Sequence, residues 1–262
     1  MSAQKFRTLF ISDIHLGSKG CQADMLLDFL RHVHADTIYL VGDIIDGWRL
    51  KSSWYWPQFH NDVVQKLLRK VRKGCRMVYI PGNHDEFMRD YVGSTFGGVE
   101  VEMDAIHEAA DGRRYLVVHG DKYDMVVRHA RWLAYLGDWA YDLAVAINAL
   151  QSWVRRRLGL PYWSFSGWSK RQVKTAVNFI GSFEETVAED AVNHGVDGVI
   201  CGHIHHPTIR TIKNINYINI GDWVDSCTAI VEHFDGRFEV LSWSHVEEQK
   251  KLASSLSLPQ AA

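Results

Sequence analysis

An α/β fold of packed layers follows from three features of this 262-residue chain. Short β-branched runs alternate with helical periodicity through the first part, further β runs crowd the last part, and a helical block of different character separates them. With 47% hydrophobic and 23% charged residues, the chain suits one fairly large globular domain, or one domain carrying an insertion.

Phe6 to Ser12 opens the chain as an apolar run of strand length. Met25 to Val33 and Val63 to Val71 repeat apolar residues at the spacing of one helix face, and Thr37 to Val41 and Met77 to Ile80 are again short apolar runs. The result is a βαβαβ rhythm. Later strands are expected at Tyr115 to Val118, Gly198 to Cys201, Thr208 to Ile212, Tyr217 to Ile220, Thr228 to His233 and Phe238 to Trp243. Few helical stretches separate the last four, so a second, more antiparallel sheet is expected there.

Between Lys122 and Gly195 the period changes. Trp132, Leu136, Trp139, Leu143, Ile147, Leu150 and Val154 recur every three or four positions, as on one apolar face of a helix. The segment "GLPYWSFSGW" (Gly159 to Trp168) breaks this pattern. The segment "SFEETVAEDAVNHG" resumes it, with Ser182 as N-cap, Glu185 as capping-box partner and Gly195 as the stop. One domain over residues 1–250 is therefore expected, interrupted by a helical insertion at 122–195 and followed by a flexible tail at 251–262.

Charge narrows the function classes. Lysine plus arginine (29) nearly balance aspartate plus glutamate (31), so no nucleic-acid partner is expected from overall charge. Cys21, Cys75, Cys201 and Cys227 form no C-x-x-C pair, which argues against a zinc finger or redox pair and for buried apolar thiols. The stretch Met1 to Lys5 is polar and leads straight into the first strand without the apolar core of a signal peptide, which favours the cytoplasm. Leu143 to Val154 falls short of the roughly 20 apolar residues a bilayer span requires.

Five polar blocks each begin where a strand should end: "SDIH" with Asp13 and His15, "VGDIID" with Asp43 and Asp46, "PGNHD" with Asn83 and His84, "VVHGD" with His119, and "CGHIHH" with His203 and His205. In an extended chain alternate side chains share a face, so Asp13 with His15, and His203 with His205, can each aim two donors at one point. Strand carboxyl ends lie along one rim of an α/β sheet, where ligands bind. Any block alone has a plain alternative, such as a polar turn or a glycine-driven bend. Their joint appearance points to one site. Carboxylate, amide and imidazole donors suit manganese, iron or zinc, and seven of them are too many for one ion. A pair of ions about 3.5 to 4 Å apart would use them, with Asp43 as the natural bridge, and could stabilise both oxygens of a phosphoryl displacement. His206, one step out of phase, should point away.

The ordered set D-x-H, G-D-x-x-D, G-N-H-D/E, H and G-H-x-H resembles the signature of the calcineurin-like metallophosphoesterases, over Phe6 to about Trp243. The resemblance implies a four-layer α/β/β/α sandwich with two divalent ions at its rim, manganese foremost. It also implies ligand sets: Asp13, His15, Asp43 and His205 for one ion, and Asp43, Asn83, His119 and His203 for the other. His84, oriented by Asp46, would stabilise the transition state or protonate the leaving oxygen.

Eight of the ten tryptophans fall in two stretches, Trp48, Trp54 and Trp56 after the second block and five within the insertion. Trp132 and Trp139 fit the insertion's own core. Trp163 and Trp168 sit with Arg155, Arg156, Arg157, Lys170, Arg171 and Lys174, a pairing suited to lipid headgroups and acyl chains; a solvated basic face is the alternative. An insertion between the fourth and fifth blocks must emerge at the metal rim, where it could act as a lid. Within the wider family this arrangement resembles the UDP-2,3-diacylglucosamine diphosphatases of lipid A synthesis. That resemblance implies hydrolysis of a lipid-linked nucleotide or phospholipid-like substrate by an enzyme held peripherally at the cytoplasmic face of the inner membrane. One departure stands out: those enzymes commonly carry arginine after the G-N asparagine, where this chain has His84, so it is similar to a related subgroup. The rival classes are a nuclease or cyclic-nucleotide phosphodiesterase, which predicts an open basic groove, and a non-catalytic scaffold, which predicts missing ligands. No ligand is missing.

Overall fold

In the computed structural model of the protein, residues 4–123, 180–181 and 183–244 are described. Packing divides the chain into two compact units, Met1–Asp121 with Glu184–Ala262, and Lys122–Phe183. The helical tryptophans of the insertion, its basic residues and Ser182 lie outside the described residues. Ile180 and Gly181 are already helical, so helical backbone does not begin at Ser182. Gly195, with φ +63°, ends the stretch as expected.

The first sheet is built from β1 (Gln4–Ile11), β2 (Val33–Val41), β3 (Arg76–Ile80), β4 (Thr95–Phe96) and β5 (Val99–Val101), joined late in the chain by β11 (Thr228–Glu232) and β12 (Phe238–Ser242). Its order is β12-β11-β1-β2-β3-β5-β4. Neighbours β1, β2, β3 and β5 are parallel, while β11, β12 and β4 run antiparallel to theirs. The second sheet contains β6 (Ala105–Glu108), β7 (Arg114–Val117), β8 (Gly198–Cys201), β9 (Thr208–Ile212) and β10 (Ile215–Asn219), ordered β6-β7-β8-β10-β9. Here β7, β8 and β10 are parallel, with antiparallel strands only at the edges.

This corrects the expectation of an antiparallel sheet from the last four strands. Only β9 and β10 join the second sheet; β11 and β12 return to the first. The reason is burial: every residue of β11 is buried, and such a strand needs a packed layer on both faces.

Alternation along the strands creates two cores. Leu9 and Ile11 of β1, Ile38 and Leu40 of β2, Met77 and Tyr79 of β3, and Ala229 and Val231 of β11 face one cluster, which they share with the helices α1 (Ala23–His32) and α3 (Gln58–Arg72). The intervening Phe10, Tyr39, Val41, Val78, Ile80 and Ile230 face the other, against Tyr115, Val117, Ile200 and Ile218 of the second sheet. The helical stretch 184–193 buries Val187, Ala188 and Ala191. Ion pairs Glu184–Arg210 and Glu189–Lys213 tie it to β9 and the turn that follows. Helix, sheet, sheet and helix form the four layers. Cys201 and Cys227 are buried, whereas Cys21 and Cys75 are half-buried; all four are free thiols. Among the described residues no helix is long and apolar enough to cross a membrane.

Glu232, fully buried at the end of β11, locks the two sheets together. It accepts hydrogen bonds from Arg7 Nη1 (2.7 and 2.8 Å), Thr8 Oγ1 (2.7 Å), His107 Nε2 (2.9 Å) and the Ala110 amide (2.7 Å). Burial opposes its charge, but these donors outweigh burial and hold the carboxyl down at about 2. A folded value below the unfolded one means stability that is fully present above about pH 4.5 and is lost as pH falls towards about 2. At neutral pH the group contributes on the order of 3 kcal/mol. Glu232→Gln is expected to lower stability by about 2 to 3 kcal/mol at pH 7 and to flatten the loss between pH 5 and 3. Urea unfolding at both pH values checks this, and an undiminished acid-sensitive slope would contradict it.

Candidate metal centre

Because β1, β2 and β3 are parallel, as are β7 and β8, their carboxyl ends gather the five polar blocks at one rim. Asp13 follows β1, Asp43 follows β2, Asn83 follows β3, His119 follows β7, and His203 follows β8. The side chains converge, though not by the extended geometry expected from sequence. Asp13, His15, Asp43, His203 and His205 all have left-handed backbone, with φ of 51°, 54°, 54°, 72° and 52°. Aspartate tolerates this region better than most residues, as does histidine, yet each instance still costs on the order of 1 kcal/mol. Such strain concentrates where the surroundings over-determine it. Here the Asp13 amide donates to Gly42 O (3.0 Å) and the His15 amide to Asp43 O (2.8 Å), pinning the first two blocks together.

Each carboxylate is held by one oxygen and presents the other. Asp13 Oδ2 accepts from the His203 amide at 3.0 Å and lies against the Ser12 hydroxyl. Its buried Oδ1 has no hydrogen-bond partner, although His205 Nε2 lies 3.2 Å away. Asp43 Oδ1 accepts from the His84 amide at 2.8 Å, while Oδ2 faces His119 Nε2 at 3.5 Å and the Nε2 atoms of His15 and His84 at 3.9 Å each. His119 Nδ1 donates to Val41 O at 3.2 Å, which directs Nε2 inward.

Asp13, His15 and His205 form one group with donor atoms within 4.8 Å of one another, and Asp43, His119 and His203 form another. The buried Nε2 of His15, Nε2 of His119 and Oδ1 of Asn83 join Asp13 Oδ1 in lacking hydrogen-bond partners. Leaving buried polar atoms unmatched costs about 1 to 3 kcal/mol each, and four at one point are the mark of a missing partner. A divalent cation accepts all of them as ligands, so the donors fit a metal centre. Close packing serves the same end: a Cβ at Gly42 would strike the His119 ring, and one at Gly82 would strike the Asp43 carboxylate.

Without a cation the donors balance one another. Burial opposes ionisation of Asp43, but His119 and the neighbouring imidazoles outweigh it and lower its pKa well below the carboxylate range. Burial likewise disfavours charge on His119, and Asp43 raises it to about 10 regardless. Burial works against the charged form of His15 too, and Asp46, Asp43 and Asp13 raise its pKa. A negative potential that holds protons this firmly also holds cations.

A third group, His15, Asp46 and His84, lies beside the other two. His84 Nδ1 is 3.1 Å from Asp46 Oδ1, and His15 Nδ1 is 3.4 Å from Asp46 Oδ2. The Trp48 ring covers His84 at a centroid distance of 4.1 Å. Carboxylate and indole together fix the imidazole over the two donor groups, so His84 can hold a proton beside a reacting oxygen. Exposed His206 takes no part.

Sequence reasoning gave no role to Asp85 or Trp48. Asp85 is fully buried and accepts from the amides of Gly82 (2.6 Å), Ile44 (2.8 Å) and Asp43 (3.3 Å) and from the Tyr79 hydroxyl. It clamps the second block to the third. Burial and the adjacent Asp43 charge raise its pKa. Its position directly after His84 is the only signal, since backbone amides leave no trace in sequence. Arg155, Arg156, Arg157, Trp163, Trp168, Lys170, Arg171 and Lys174 lie outside the described residues.

A family model described as calcineurin-like phosphoesterase matches residues 6–207. A UDP-2,3-diacylglucosamine hydrolase of Aliivibrio fischeri is 28% identical over 245 residues, covering 87% of this chain and 94% of that protein. A protein of the same name from Vibrio cholerae is 25% identical over 244 residues, covering 86% and 93%. Among solved structures, hypothetical protein PH1004 of Pyrococcus horikoshii aligns with a TM-score of 0.49 at 8% identity, covering 98% of this chain and 95% of its own.

Proposed function

The chain belongs to the calcineurin-like phosphoesterase family and is a phosphoester hydrolase, and from that premise we propose that it hydrolyses the pyrophosphate of UDP-2,3-diacylglucosamine. Water adds at phosphorus, and the products are 2,3-diacylglucosamine 1-phosphate and UMP. The observation that carries the hydrolytic reading is the convergence from five strand ends of donors that include buried atoms without a hydrogen-bond partner in the protein. The substrate reading is supported by the relatives' name and by a tryptophan-rich, basic insertion between the fourth and fifth blocks.

Asp13, His15, Asp43 and His205 would hold one divalent ion, and Asp43, Asn83, His119 and His203 the other. When bound, a pair of ions, manganese foremost, supplies Lewis-acid stabilisation of phosphoryl oxygens and a water acidic enough to react at neutral pH. His84 holds a proton for the departing oxygen, and Asp46 and Trp48 fix its ring. Arg155, Arg156, Arg157, Lys170, Arg171 and Lys174 neutralise the headgroup, while Trp163 and Trp168 meet acyl chains at the cytoplasmic face of the inner membrane. His84, standing where the diphosphatases commonly carry arginine, favours a second reading: another lipid-linked phosphoester at the same centre.

Incubation of the purified protein with manganese and UDP-2,3-diacylglucosamine is expected to yield UMP and the lipid monophosphate in equal amounts by mass spectrometry. Turnover of bis-p-nitrophenyl phosphate alone would retain the hydrolase and remove this substrate. No turnover of either would remove both.

A further inference from the structure

The metal donors form only part of the lining of their cavity, which holds about 740 Å³. The cavity is also lined by two loops of the main body: Ser18 and Lys19 after the first block, and Arg49, Ser52, Ser53 and Tyr55 in and after α2 (Gly47–Ser52). Such a volume exceeds one phosphoryl group and leaves room beside these loops for a second part of a bound molecule.

The chemistry of these loops is specific. Lys19 and Arg49 are their cations, both exposed to the cavity. Among the described residues neither makes an ion pair with a carboxylate; the Lys19 ammonium only rests over the Tyr55 ring, 6.0 Å from its centroid. By contrast Arg89, close to the same rim, is matched by Asp121 at 2.6 Å. The acids that line the cavity, Asp43 and Asp46, are turned towards histidines. Two cations without a carboxylate partner, lining the same cavity as the metal donors, make a receptor for an anion distinct from the phosphoryl group at the donors.

We propose that Lys19 and Arg49 bind a second phosphoryl group, so that the site selects molecules with two linked phosphates over those with one. This rests on the reading of the cavity as the place where phosphoryl compounds bind. It assigns the grip on the far phosphate to the main body, with no residue of the insertion required.

Calorimetric titration of the manganese-loaded full chain, at fixed free manganese, with methylphosphonate and methylenebisphosphonate tests the proposal without turnover. In the native protein the bisphosphonate should bind at least about tenfold more tightly. The double variant K19A/R49A should reduce that advantage to about twofold, and K19R/R49K should restore most of it. An advantage that survives in K19A/R49A, or that is absent from the native protein, overturns the proposal. The hydrolytic reading fails separately, through absent turnover of bis-p-nitrophenyl phosphate.

Discussion

Asp43→Asn is expected to lower kcat on bis-p-nitrophenyl phosphate by about 10³-fold, equivalent to roughly 4 kcal/mol, and to remove at least one of the two ions. The variant keeps an oxygen able to accept from the His84 amide, so the loop between the second and third blocks should hold its shape. What it loses is the negative charge that Oδ2 places within 3.5 to 3.9 Å of three histidine Nε2 atoms. Oδ2 lies near nitrogens of both groups, His119 of its own and His15 of the other, so its loss is expected to weaken both sites. Metal analysis after gel filtration, beside steady-state rates, checks the result. Full metal content with full activity would show that Asp43 does not bridge.

His84→Ala should lower kcat by about 10² to 10⁴-fold, the range for a positioned proton donor, with metal content preserved. The separation follows from geometry: His84 belongs to the group containing Asp46, and its Nε2 is no closer than 3.9 Å to Asp43. Asp46→Asn should cost less, because Trp48 still covers one face of the ring. Metal loss parallel to the loss of rate would recast His84 as a ligand.

These two variants separate holding the ions from moving the proton, a distinction that the sequence draws only through resemblance. The pattern G-D-x-x-D shows why. It occurs three times, and the copies at Gly42 to Asp46 and at Gly221 to Asp225 differ in what their aspartates do. At the first, Asp43 directs an oxygen to the donor groups. At the second, Asp222 is consumed by its own turn, accepting from the Val224 amide (2.8 Å) and the Ser226 hydroxyl (2.8 Å). Both follow strands, β2 and β10, but the loop after β10 folds back so that the Trp223 amide donates to Asp13 O while its side chain enters the core.

The sequence by itself determined the elements that carry the site and the residue types at their ends. Apolar runs of strand length and helical spacing are local signals, and an acid or imidazole just past an apolar run is legible because burial would otherwise exclude it. It did not determine sheet membership: nothing local distinguishes β11 and β12 from β9 and β10, and only packing on both faces returns the former pair to the first sheet. Nor did it reveal how the donors converge. An extended strand end predicted paired side chains, whereas the fold uses left-handed backbone at five donors, held by amides of neighbouring loops. Asp85, Lys19 and Arg49 acquire their roles from groups distant in the chain, since hydrogen bonding and charge balance are settled by distance in space, which the tertiary structure alone decides.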